Sequence, residues 1–101
     1  MSVQSLPATL VEYTIYTGPY QGSNSNLVAT MVFQLSNTPY RAIVRFYDIE
    51  YGQLPSNGVY STDYNVSLPL CAMGPLVGLY ESGRPMTFHF DTSNYEARFT
   101  G

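Results

Sequence analysis

The densest set of reactive side chains is His89, Asp91, Glu96 and Arg98, close to the C-terminus. An imidazole beside two carboxylates is material for general acid–base catalysis, provided the groups converge in a cleft with shifted pKa values. Two carboxylates also suit a hard cation, although two protein oxygens make a thin site.

What positions these residues is a β-hairpin. Residues 85–91 read P-M-T-F-H-F-D and residues 95–100 read Y-E-A-R-F-T, with turn chemistry centred on Ser93-Asn94 between them. Side chains alternate along a strand. Folding about that turn sets Phe88 opposite Phe99, Phe90 opposite Ala97 and Thr92 opposite Tyr95 on a core face. His89 then meets Arg98, and Asp91 meets Glu96, on the other. The simpler reading of the polar set is therefore the wet face of a hairpin. Asp91 against Glu96 is a like-charge pair costing on the order of a few tenths of a kcal/mol, which Arg98 or Arg84 can offset.

Other catalytic patterns fail on their residue types. His89 is the single histidine, and there is no G-x-S-x-G elbow for a hydrolase nucleophile. No Cys/His cluster suits zinc and no glycine-rich phosphate loop precedes a helix. Asp48 and Glu50 are paired carboxylates, but they lie two apart on one strand face and mark its solvent end. Cys71 sits among Leu70, Ala72 and Met73, which reads as a buried thiol acting as a small hydrophobe. No catalytic residue, cofactor or metal is expected.

The stretch that organises the chain is residues 27–51. Two β-type runs, L-V-A-T-M-V-F-Q-L-S and R-A-I-V-R-F-Y-D-I-E-Y, flank N-T-P-Y, whose proline and asparagine supply turn geometry. Folding about residues 37–40 sets Ser36 opposite Arg41, Phe33 opposite Val44 and Met31 opposite Phe46. Leu27, Ala29, Met31, Phe33, Leu35, Ala42, Val44 and Phe46 then share one apolar face. The opposite face is mixed: Thr30, Gln34, Ser36, Arg41, Arg45 and Tyr47, with Val28, Val32, Ile43 and Ile49 among them. Tyr47 and Tyr51 share that face with Arg41 and Arg45. Tyrosine and arginine are enriched at interfaces, so Arg41, Arg45, Tyr47 and Tyr51 form a candidate binding surface. Tyr20 is the one bulky group in the polar stretch G-P-Y-Q-G-S-N-S-N and joins that set.

Elsewhere, residues 1–7 read as a frayed arm. Residues 10–17, L-V-E-Y-T-I-Y-T, alternate as a strand. Asn57-Gly58 has the sequence of a tight hairpin turn, with short strands on either side ending near Tyr60. Residues 65–70 suit a strand that Pro69 places at an edge or an end. Residues 75–82 fit either a short helix, with Pro75 at its start and Gly83 beyond its end, or a strand. Gly78 tilts the balance toward strand or irregular structure.

Composition narrows the function classes. The chain has 101 residues, 45% hydrophobic, with ten tyrosines, five phenylalanines and no tryptophan. That length suggests a single domain with one core. Four arginines and no lysine give a net charge of −3, a poor match to a nucleic-acid surface. No basic n-region precedes an apolar run, and no apolar run is long enough to span a bilayer. The expectation is a soluble protein without a signal peptide, cytoplasmic or part of an assembled particle. The expected fold is all-β: an antiparallel β-sandwich or small barrel of about 7–8 strands, with one short helical turn near 75–82 as its only allowed helix. The expected function is a non-catalytic interaction or self-assembly module, a structural subunit pairing with itself as a homodimer or higher oligomer, or with another protein. Lysine is the usual guard against edge pairing, and there is none. The alternatives are a domain binding a carbohydrate or small ligand, and a small enzyme using His89 with the nearby carboxylates.

Overall fold

The computed structural model describes residues 3–15, 26–36, 38–49 and 54–101. Seven strands are found among them: β1 (Val3–Ile15), β2 (Leu27–Leu35), β3 (Arg41–Tyr47), β4 (Gly58–Tyr60), β5 (Asp63–Pro69), β6 (Met86–Asp91) and β7 (Glu96–Thr100). One helix, α1 (Met73–Glu81), follows a 3-10 turn at Leu70–Ala72. All the strands belong to a single sheet in the order β4-β5-β3-β2-β1-β6-β7. The protein is all-β with one short helix, and its sheet curls into a half-barrel. One neighbour pair, β3 with β5, is parallel, and the others are antiparallel.

The apolar alternation drives the curl. Phe33, Phe46, Phe88 and Phe90 are fully buried, with Met31, Leu35 and Val44 between them. Tyr64 of β5 and Phe90 of β6 hold ring centroids 5.0 Å apart. In a flat sheet those strands would lie about 19 Å apart, at about 4.8 Å per step. Phe33 of β2 likewise meets Phe99 of β7 at 4.8 Å. Leu76 of α1 is buried in the same cluster, with Val77 and Leu79 packed at its margin. Across the open side, the Asn57 amide donates to the Tyr95 carbonyl at 2.8 Å and accepts from the Ser67 N–H at 2.8 Å. This one side chain ties β5 to the β6–β7 turn.

The C-terminal hairpin has the expected register, with Phe88↔Phe99, His89↔Arg98, Phe90↔Ala97 and Asp91↔Glu96. The β2–β3 register differs by two residues from the expected one: Phe33 faces Ala42 and Met31 faces Val44. A shift of two keeps every side chain on its face, so the expected core face is intact and all of it is buried. The loop sets the shift. Leu35 N–H bonds the Tyr40 carbonyl at 3.1 Å. The Gln34 side-chain amide donates to the carbonyls of Thr38 and Tyr40, each at 3.0 Å. The Thr38 hydroxyl donates to that of Leu35 at 3.0 Å.

Four other expectations are corrected. From Val3 onward the supposed frayed arm is the first half of β1, where Val3–Ala8 pairs with β6. The β4–β5 turn is Ser61-Thr62, with Ser61 at φ 55°, not Asn57-Gly58. The Asn57 side chain is engaged in the Ser67 and Tyr95 bonds instead. Cys71 is exposed, because Ala72 takes the inward position of the 3-10 turn. Residues 73–81 are helical although Gly78 lies among them. Pro75 falls in the first turn, where no N–H is needed, and burial of Leu76 offsets the glycine. Gly83 at φ 75° ends the helix, its N–H reaching the Tyr80 carbonyl at 3.3 Å. Pro69 closes β5, as expected of a strand end.

Candidate functional site

The polar set of the last hairpin does converge. His89, Asp91, Glu96 and Arg98 line a shallow recess of about 180 Å³ on its outer face. Both imidazole nitrogens are engaged by hydroxyls from neighbouring strands: Ser5 Oγ lies 2.9 Å from Nδ1 and Thr100 Oγ1 lies 2.8 Å from Nε2. In a nucleophile–base–acid relay a third group, commonly a carboxylate, orients the imidazole; here both neighbours of His89 are hydroxyls. Asp91 faces the turn. It accepts from the Ser93 hydroxyl at 2.6 Å and the Ser93 N–H at 2.9 Å. These bonds hold its carboxyl below its ordinary pKa, the hydroxyl contributing most. The arrangement is a cross-strand polar network that orders β1, β6 and β7. Among the described residues no three His, Cys, Asp or Glu side chains are grouped to hold a metal.

The tyrosine/arginine surface disperses. Arg41 Nε pairs with Asp63 Oδ1 at 3.3 Å, and Arg45 donates to Asn65 Oδ1 at 2.8 Å. Both partners come from β5, which the parallel pairing with β3 sets alongside. Tyr47 is only 6% exposed, so its ring offers little to a partner. Tyr20 and Tyr51 lie outside the described residues. Burial also raises the Tyr64 phenol above its ordinary pKa, with nearby Tyr40 adding to the effect.

A different surface concentrates exposed apolar groups: the second half of β1. This strand bonds two neighbours with different halves. Residues Val3–Ala8 pair with β6, and Ala8–Ile15 pair with β2. Pro85, which has no N–H, precedes β6, and the β1–β6 ladder stops at Ala8↔Met86. Beyond Ala8, no strand among the described residues pairs with the far edge of β1. Val11, Tyr13 and Ile15 on this segment are 58%, 40% and 53% exposed.

The hydrogen-bonding phase of β1 fixes which groups point outward. Leu35 N–H bonds Tyr40 on the β3 side. Alternation along β2 therefore turns Thr30, Val32 and Gln34 toward β1. Ser36 N–H, bonded to the Pro7 carbonyl at 2.9 Å, agrees with that phase. Glu12 and Thr14 are the partners of Val32 and Thr30. The residues between and beyond them, Tyr13 and Ile15, thus direct their backbone N–H and C=O to the open edge. A bulge between Leu10 and Glu12, with Val11 the extra residue, resets the phase there.

A second concavity lies between β5, α1 and β7. It has a volume of about 210 Å³ and is lined by Val66, Leu68, Leu76, Leu79 and Phe99, with Arg98 at its border.

No protein-family model matches the chain, and searches of curated proteins and of solved structures find no similar protein. Among the described residues no helix is long and apolar enough to cross a membrane.

Sequence reasoning brought the hairpin cluster together correctly and missed the β1 edge. The alternation of residues 10–17 was visible. That the strand would change neighbours half-way was not, because that depends on strand order.

Proposed function

We propose that this chain is a non-catalytic interaction and self-assembly module that pairs strands at the edge of β1. The observation supporting this reading is the edge beyond Ala8, with which no strand among the described residues pairs and where Val11, Tyr13 and Ile15 are exposed together. A strand edge is a row of unpaired donors and acceptors, and proteins normally guard it with lysine, proline or short length. Between Thr9 and Ile15 there is no proline and no lysine, and Glu12 is the one charged residue. Strand addition takes affinity from main-chain bonds and specificity from alternate side chains. This relocates the expected interface. The arginines of the β3 face are engaged by β5, whereas no strand among the described residues pairs with the β1 edge beyond Ala8.

The test is amide hydrogen exchange followed from low to high protein concentration. The reading expects the Tyr13 and Ile15 amides to exchange fast in dilute protein and slowly in concentrated protein, with amides of the β2–β3 ladder unchanged. Fast exchange at Tyr13 and Ile15 at every concentration contradicts it.

A small-ligand reading has one observation in its favour, the apolar recess between β5, α1 and β7 with Arg98 at its border. A small apolar ligand fits that lining. The recess is shallow and open, so this reading ranks second.

A further inference from the structure

Resting on the reading above, we infer that the strand taken by β1 is β1 of a second copy, antiparallel, with the two-fold axis passing through Tyr13. The argument is one of self-complementarity. Residues 11–15 read V-E-Y-T-I, and their polarity is the same in both directions about the central tyrosine. A two-fold at Tyr13 sets Val11 opposite Ile15, Tyr13 opposite Tyr13, and Glu12 opposite Thr14. The Tyr13 rings of the two edges then meet, and Val11, at the bulge, comes level with Ile15 of the other edge. Each carboxylate meets a hydroxyl.

The neighbouring two-fold registers are worse. Centring on Glu12 brings the two carboxylates face to face, and like charges directly opposite are destabilising. Centring on Val11 sets Leu10 opposite Glu12 and Thr9 opposite Tyr13, leaving Ile15 to meet Pro7, which has no N–H to give. The Tyr13 register also agrees with the backbone. Tyr13 and Ile15 are the residues whose N–H and C=O face outward, so two copies can exchange both bonds across the Tyr13 pair as a hydrogen-bonded pair. The patch is its own partner, as a closed two-fold interface requires. It joins two curled sheets through their β1 strands.

Paired thiols read the register directly. In a Cys71→Ser background, Glu12→Cys and Thr14→Cys proteins are prepared separately, mixed and oxidised with diamide, while sedimentation records association. In the Tyr13 register these two positions form a non-hydrogen-bonded pair with Cα atoms about 4.5 Å apart, within disulfide reach. The expected result is a mixed disulfide exceeding either homodisulfide several-fold. A Glu12→Cys homodisulfide as the main product overturns the register while leaving the edge in use. So does a dimer that forms without any cross-link. Absence of both cross-link and concentration-dependent association overturns this inference together with the reading it rests on. Ile15→Lys provides a second check, since it places an ammonium opposite Val11 and should abolish association without touching the thiols.

Discussion

Tyr64 and Phe90 sit ring to ring at 5.0 Å, although β3, β2 and β1 lie between their strands. That contact turns a seven-stranded ribbon into a half-barrel. Phe88 stands beside both, 5.5 Å from Tyr64 and 6.0 Å from Phe90.

The core therefore depends on the last hairpin as much as on the central strands. Phe90→Ala should cost about 3–5 kcal/mol, as truncation of a buried phenylalanine usually does. Phe99 is only partly buried, and Phe99→Ala should cost clearly less. Chemical denaturation of both variants checks the order. Equal losses would mean that β7 is packed more deeply than its exposure indicates.

His89 joins three strands through Ser5 and Thr100. Its removal is a structural loss in this account. His89→Ala should cost on the order of 1–2 kcal/mol, from two hydrogen bonds worth about 0.5–1.5 kcal/mol each. Ser5→Ala and His89→Ala combined should fall short of the sum of the two, because they break the same bond. Additive losses in a double-mutant cycle would contradict the Ser5–His89 contact.

The Asp91 turn should respond to acid. Ser93 binds the ionised carboxylate, so the folded pKa is lowered. The stability this adds is complete above the ordinary carboxyl value of about 3.9. It is lost as pH falls through the lower folded value. An NMR titration of the Asp91 carboxyl should find its midpoint below the ordinary range, and Ser93→Ala should move it back upward. An ordinary midpoint in the unaltered chain would count against the hydrogen bonds drawn at this turn.

How far the sequence reveals this molecule varies with the range of the interaction. The register of the last hairpin was legible, since a short turn and strict alternation leave one choice, but Thr92 and Tyr95, expected on its core face, are exposed in its turn. At β2–β3 the faces were legible and the register was not. Two registers satisfy the same alternation, and the choice rests on the bonds that Gln34 and Thr38 make in the loop. The parallel placement of β5 beside β3 has no local signature, yet it occupies Arg41 and Arg45. Asn57 carried a turn signal in sequence, but its amide serves a contact between segments far apart in the chain. The candidate edge was hidden for a related reason. Thr9–Ile15 reads as an ordinary strand, and only strand order shows that no strand among the described residues pairs with one side of it.

Sedimentation velocity of the unaltered chain beside Tyr13→Pro tests the β1 edge most directly. Proline removes the outward N–H of Tyr13, and the bonds that Glu12 and Thr14 make to β2 lie on the other side of the strand. The account predicts that the unaltered chain associates as its concentration rises and that Tyr13→Pro remains a monomer with the same circular dichroism. An unaltered chain that stays monomeric at high concentration, or a folded Tyr13→Pro that associates equally well, would contradict it.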